Sequence, residues 1–285
     1  MINKHEYALI DSGEGRKLER FGPYLISRPC AQAVWKPQLS QQEWNKADAI
    51  FSRDQESKWT SLRPLPDIWN IEVAGVKFKM SPTEFGHLGI FPEQKNFWEW
   101  MQTKIKSYSS STFKPNVLNL FAYSGGVTLS AAIAGASVCH LDASKGMVAW
   151  ARENAVLNKL ENAPIRWIVE DVKKFLMREI KRGSKYDAII LDPPSFGRGS
   201  KGEVFKIEDD IIPLLNQCRE LLSSNPLFLM FSCHTPGFTP LAMQHLLTQT
   251  MTGLNGKITS GEMTLSGNSS VFELPSGTYA KWETN

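Results

Sequence analysis

From Asn116 onward the chain alternates short apolar runs with amphipathic ones, and this rhythm constrains the fold more than any other feature. Residues 117–121 form an unbroken apolar run, and the helical stretch 127–134 that follows is ended by Gly135. The pattern repeats with runs at 138–141, 165–169, 188–191 and 227–231, each followed by a helical stretch: 145–157, 173–181, 207–222 and 241–247. Strands with no polar face need cover on both sides, which a parallel sheet between two helical layers provides. The tail departs from the rhythm. Residues 257–265 and 278–282 alternate polar and apolar across a Gly/Ser-rich turn, so an antiparallel pair is expected at the sheet edge. The expected fold class is α/β: a doubly wound, mostly parallel seven-stranded sheet with a small β-rich N-terminal domain.

The first 110 residues have a different texture, rich in aromatics and prolines. A strand is expected after Gly22-Pro23, and Ser40 with Glu43 has the form of a capping box. Residues 71–73 and 76–80 read as a hairpin around Ala74-Gly75. Pro92 opens a helix carrying Phe97, Trp98, Trp100, Met101 and Ile105 on its apolar face, and the run 107–112 (SYSSST) reads as a linker. The expected division is 1–82 for the N-terminal domain, 83–112 for a lid helix and linker, and 113–285 for the α/β domain. Trp35, Trp44, Trp59 and Trp69 are read as core rather than as an acceptor cage.

Composition narrows the function by exclusion. The balance of 32 Lys and Arg against 29 Asp and Glu, a net charge of +3 spread evenly along the chain, excludes a nucleic-acid coat protein and an acidic disordered tail. The four cysteines, Cys30, Cys139, Cys218 and Cys233, form no CxxC pair, so neither a zinc ribbon nor a disulfide scaffold is expected. No metal is expected. The N-terminus lacks the apolar core of a secretory signal, and no apolar run reaches the roughly 20 residues that span a bilayer. The expectation is a cytoplasmic protein with no membrane partner, a monomer or a weak homodimer.

Ligands of doubly wound sheets bind outside the carboxyl ends of the strands. Five successive strand ends carry Ala122-Tyr123-Ser124-Gly125-Gly126, then Asp142, then Glu170-Asp171, then Asp192-Pro193-Pro194-Ser195-Phe196, then Ser232-Cys233-His234. Two glycines before a helix let the backbone approach a ligand. Asp142 suits the hydroxyls of a ribose, although it and Asp171 would equally serve as helix N-caps. The set together points to a nucleoside-containing cofactor. The loop AYSGGV is not G-x-G-x-x-G, which argues against a dinucleotide and for a sulfonium methyl donor.

These residues also carry a resemblance. NLFAYSGGVTLSAAIAGASVCHLDAS, ARENAVLNKL, DAIILDPPSFGRGSKG and FSCH resemble the S-adenosylmethionine-dependent methyltransferases of bacterial large-subunit ribosomal RNA. The nearest kinds are the RlmI-type cytosine-C5 enzymes and the guanine-N7 RlmK half of the RlmKL type. The resemblance runs from about Thr83 to Phe231 and implies the Rossmann-like methyltransferase fold with S-adenosyl-L-methionine as cofactor. It implies that Phe121, Ala122, Ser124 and Gly125 border the methionine part and Asp142 binds the ribose. Asp171 and Val172 would meet the adenine edge, and Asp192 would face the methyl group. GHLGIFPEQKNFW resembles the family's lid over the cofactor, making Phe91, Gln94 and Lys95 candidate contacts.

The partner that the resemblance implies is RNA, ribosomal RNA included. A protein or small-molecule acceptor, or a scaffold without activity, is the alternative. Methylation at a pyrimidine C5 would use Cys233 as nucleophile. At a nitrogen no cysteine is needed, and Asp192 with the Pro193 carbonyl orients the base. His234 is not assigned as base to Cys233, because neighbouring side chains on a strand face opposite ways. Phe196, Arg198, Lys201 and Lys206 combine an aromatic with three cations on a glycine-rich loop, a composition that grips phosphate and stacks on a base.

Overall fold

The computed structural model describes residues 6–53, 58–110, 113–199, 202–267 and 271–284. The chain divides into two compact units, Met1–Lys95 with Thr264–Ser276, and Asn96–Met263 with Gly277–Asn285.

The first unit contains β1 (Tyr7–Gly13), β2 (Arg16–Phe21), β3 (Tyr24–Pro29), α1 (Gln41–Trp44), β4 (Ala49–Ser52) and β5 (Lys58–Ser61). The five strands form one sheet in chain order. Ser40 caps α1 by accepting from the Glu43 N–H. β6 (Trp69–Val73) and β7 (Val76–Met80) make the expected hairpin, and every second residue of β6 is buried. The indole N–H groups of Trp35, Trp44, Trp59 and Trp69 donate to Ser12 O, Asp11 Oδ2, Thr83 O and Phe21 O. All four tryptophans are thus tied into the wall of this unit. Beneath them Glu19, fully buried, accepts from Arg28 at 2.7 and 2.9 Å and from the Tyr7 hydroxyl at 3.0 Å. A 3-10 turn over Pro92–Gln94 leads into α2 (Lys95–Tyr108). The helix extends through Ser107 and Tyr108, which the sequence reading gave to the linker, because Ile105 and Met101 keep that face buried.

The second unit holds β8 (Asn116–Leu120), α3 (Gly126–Ile133), β9 (Ser137–Asp142), α4 (Lys145–Leu157), β10 (Ile165–Val169), α5 (Val172–Lys181) and β11 (Ala188–Leu191). Then come β12 (Phe196–Arg198), β13 (Val204–Lys206), α6 (Ile207–Glu220), β14 (Phe228–Cys233) and α7 (Pro240–Thr250). β15 (Lys257–Leu265) and β16 (Leu274–Glu283) close the chain. The sheet order is β10-β9-β8-β11-β14-β16-β15. The first five strands run parallel, and β16 pairs antiparallel to β14. The order reverses at β8 and β11, where ligand sites of such sheets form.

Pleat alternation divides the strand side chains between two cores. Leu118, Leu141, Ile189 and Phe231 face α5, α6 and α7, whereas Val117, Val138, Ile190 and Met230 face α2 and α3. Both faces are therefore largely apolar, which is why the strands read as hydrophobic runs interrupted only by single residues such as Asn119 and His140. Among the described residues no helix is long and apolar enough to cross a membrane.

Candidate active site at the strand ends

The loop after β8 is held in a conformation that side chains rarely adopt. Phe121, Tyr123 and Gly125 have φ of 57°, 49° and 93°. Such strain persists only where the surroundings over-determine it. Ala122 N–H donates to Leu141 O at 3.0 Å, and Gly125 N–H to Ala122 O at 3.0 Å. The buried Asn154 amide of α4 donates to Ser124 O at 2.9 Å. The absence of a Cβ at the two glycines also serves internal packing. A Cβ at Gly126 would lie 2.6 Å from the Trp98 indole, and one at Gly125 would lie 3.0 Å from Ala151 Cβ.

Asp142, at the end of β9, accepts from Tyr123 N–H at 2.9 Å and from Ser144 N–H at 2.8 Å, one on each oxygen. Burial raises its pKa, and these two bonds act against the rise. It does not cap α4; Ser144 does. Asp171 is the N-cap of α5, accepting from Lys174 N–H at 3.1 Å on Oδ1. Val172 follows at the first helical position, where helix geometry leaves the N–H without an intrahelical acceptor. Glu170 is engaged by Arg178 at 2.7 Å.

Asp192 follows β11, and Ser232 Oγ donates to its Oδ1 at 2.8 Å. Pro193 is buried, while Pro194, Ser195 and Phe196 are exposed. Cys233 is only 1% exposed and belongs to the core on the α6–α7 face. Its sulfur accepts from Thr235 N–H at 3.3 Å, and burial pushes the thiol pKa up. That environment keeps the sulfur protonated and packed. His234 turns toward Asp192, with Nε2 3.8 Å from Oδ1.

The loop after Asp192 is a hairpin, where the sequence reading had a glycine-rich loop. β12 and β13 pair Phe196 with Lys206 and Arg198 with Val204. Residues opposite each other in such a pair share a face. Phe196, Arg198, Val204 and Lys206 therefore form the exposed side, with the Arg198 guanidinium 5.5 Å from the Phe196 ring centre. Phe205 on the other side is buried, with its ring 5.2 Å from Phe121. The first turn of α5 holds the hairpin down. Lys173 donates to Val204 O at 3.0 Å and pairs with Asp210 at 2.7 Å, and Lys174 pairs with Glu203. Lys201 lies outside the described residues. Phe91 and Gln94 belong, with Lys95, to the first unit, where the Phe91 ring sits edge-on to His87 at 5.4 Å.

The edge thus gathers Phe121, Ala122, Ser124, Gly125, Asp142, Asp171, Val172, Asp192 and Pro193. Its donor set fits S-adenosylmethionine. Each Asp142 oxygen keeps acceptor capacity beyond its one backbone bond, as two ribose hydroxyls require. Asp171 and the Val172 N–H offer an acceptor and a donor side by side, as the adenine edge requires. Asn154, Ser232, His234 and Phe205 were not picked out as site residues in the sequence; only their places beside strand-end motifs could have flagged them.

Comparison with known proteins agrees. The family model of S-adenosylmethionine-dependent methyltransferases matches residues 28–250. The solved SAM-dependent methyltransferase of Agrobacterium tumefaciens is 41% identical, with a TM-score of 0.93 over 98% of this chain and 91% of that one. A methyltransferase structure from Streptococcus mutans shares the fold at 19% identity, with a TM-score of 0.73 over 98% of this chain and 76% of that one. The ribosomal RNA large subunit methyltransferase K/L of Pseudoalteromonas atlantica is 29% identical over 202 residues, 70% of this chain and 26% of that protein. The chain spans about a quarter of the length of the curated relatives it matches. With its strained β8 loop, strand-end carboxylates and matching family model, the chain belongs to the S-adenosylmethionine-dependent methyltransferases.

Proposed function

We propose that the protein methylates a base of RNA, ribosomal RNA being the favoured substrate, and that the acceptor atom is a nitrogen. The observation that carries the RNA reading is the outward face of the β12–β13 hairpin, where Phe196, Arg198 and Lys206 stand together directly after Asp192-Pro193. An exposed aromatic stacks on a base, and the cations hold phosphate. The curated relatives are named for ribosomal RNA, which supports the same reading. In this reading the enzyme works in the cytoplasm, with its substrate.

The choice of nitrogen over pyrimidine C5 follows from Cys233. A C5 acceptor needs a thiolate, and this thiol is buried with its pKa raised. A nitrogen acceptor needs only orientation, which the Asp192 carboxylate and the Pro193 carbonyl provide by accepting its hydrogens. S-adenosylmethionine, when bound, supplies an electrophilic methyl group on a sulfonium. Asp142 then holds the ribose, Asp171 and Val172 the adenine edge, and Phe121, Ala122, Ser124 and Gly125 border the methionine part. Phe91, Gln94 and Lys95, in the first unit, are cofactor candidates by the family resemblance alone.

The test is incubation of purified protein with methyl-labelled donor and total RNA, protein or small-molecule extracts, followed by mass spectrometry of nucleosides. Label in an N-methylated nucleoside is expected, and Cys233→Ala should retain transfer. Label confined to protein or small molecules would overturn the RNA reading.

A further inference from the structure

His234 has no part in the reading above, yet it stands at the reacting edge. β14 ends at Cys233, so His234 lies one residue past the strand, where pleat alternation no longer directs its side chain. Its Nε2 is 3.8 Å from Asp192 Oδ1, and Ser232 Oγ fixes that same oxygen at 2.8 Å. β16 makes room for the ring with a glycine. A Cβ at Gly277 would lie 2.9 Å from His234 Nδ1, 2.6 Å from Met263 Cε and 3.0 Å from Cys233 O, and its φ of +124° disfavours any side chain. The His234 side chain is about 36% exposed, so a substrate can reach it. Titratable groups at this end include Asp192 after β11 and Cys233, and Glu208 on α6 acts on Cys233. The Asp192 carboxylate faces the ring that would gain a charge on taking up a proton.

We propose that His234, backed by Asp192, takes up the proton that the acceptor loses, and that the acceptor is an exocyclic amine of the base. This rests on the RNA reading. The amine lone pair forms the N–C bond as the methyl C–S bond breaks and leaves its electron pair on sulfur. The nitrogen then carries one proton more than the neutral product, and that proton passes to the imidazole, whose new charge faces Asp192. A ring nitrogen with a bare lone pair has no proton to lose and gives this pair no task. A pyrimidine C5 does lose a proton, but its route needs the thiolate that Cys233 does not present.

Four measurements test this. The wild-type product should be a nucleoside methylated on its exocyclic amine. In His234→Ala, kcat should fall roughly 100- to 10,000-fold while the KM for RNA and the donor Kd stay within about threefold. The acid limb of the kcat–pH profile should vanish in this variant, and added imidazole should restore part of the rate. Wild-type kcat in His234→Ala at every pH, or methyl on a ring nitrogen, would overturn the proposal. Should RNA take no label at all, the RNA reading falls, and the same pH profile on whichever acceptor is labelled still decides the role of His234.

Discussion

Asp142 shows how a carboxylate with a structural role keeps capacity for a ligand. Each oxygen accepts one backbone N–H, from Tyr123 and from Ser144, and these bonds fix the carboxylate plane at the end of β9. The remaining lone pairs point to the strand edge, where two ribose hydroxyls would each donate a charge-assisted bond. Such bonds contribute about 1.5–3 kcal/mol. Loss of both bonds in Asp142→Ala should therefore weaken donor binding by roughly 100-fold or more, as read by calorimetry, and unchanged affinity would remove the ribose assignment. The variant also frees Tyr123 N–H, so a folding check by circular dichroism belongs beside it.

At the scale of elements, the β12–β13 hairpin joins the loop after β8 to the exposed face proposed to meet RNA. Phe205 packs on Phe121 below, while Phe196 and Arg198 stand exposed above. Lys173 and Lys174 of α5 tie the same hairpin to the helix that Asp171 caps. The two faces should respond differently to mutation. Phe196→Ala should raise the KM for RNA about tenfold, the scale of one lost base stack of 1–3 kcal/mol, and leave donor affinity unchanged. Phe205→Ala should weaken both, because Phe121 loses its neighbour; kinetics paired with calorimetry separates the two outcomes.

For the molecule as a whole, stability carries a pH signature from one buried side chain. His140 is fully buried on β9, where Thr128 Oγ1 lies 2.9 Å from its Nδ1 and the Asn119 amide donates to that hydroxyl at 2.9 Å. Burial, with the charge of Arg152 behind it, drives its pKa down to about 3 from the ordinary value of 6.5. Between those values the unfolded chain binds a proton that the folded chain refuses. Stability should thus fall as pH drops through this window, by on the order of 1 kcal/mol per unit. His140→Leu should be less stable at pH 7, because Thr128 loses its ring-nitrogen partner, but should show a shallower loss between pH 7 and 5 in urea titrations. An equal slope in both proteins would assign the acid sensitivity elsewhere. The net charge of +3 contributes little at this scale, so any grip on RNA must be local, as the hairpin face is.

The apolar runs alone predict the sheet, because a strand buried on both faces is mostly apolar, and that pattern is local. The sequence also places acidic residues at the carboxyl edge, since three of the strand ends carry Asp142, Asp171 and Asp192. Contacts between residues distant in the chain emerge only on folding. Gly125 and Gly126 make room for Ala151 and Trp98 as well. Glu179 stands on α5 among basic residues and is buried. Burial pushes its pKa up, but bonds from Arg166, Tyr186 and Ser184 outweigh that and hold it at about 2. Cys233 sinks into the core while His234, its neighbour, faces Asp192 some forty residues away in sequence. Periodicity reports which face of an element is buried, but not what lies across from it, and the chemistry of this edge depends on what lies across.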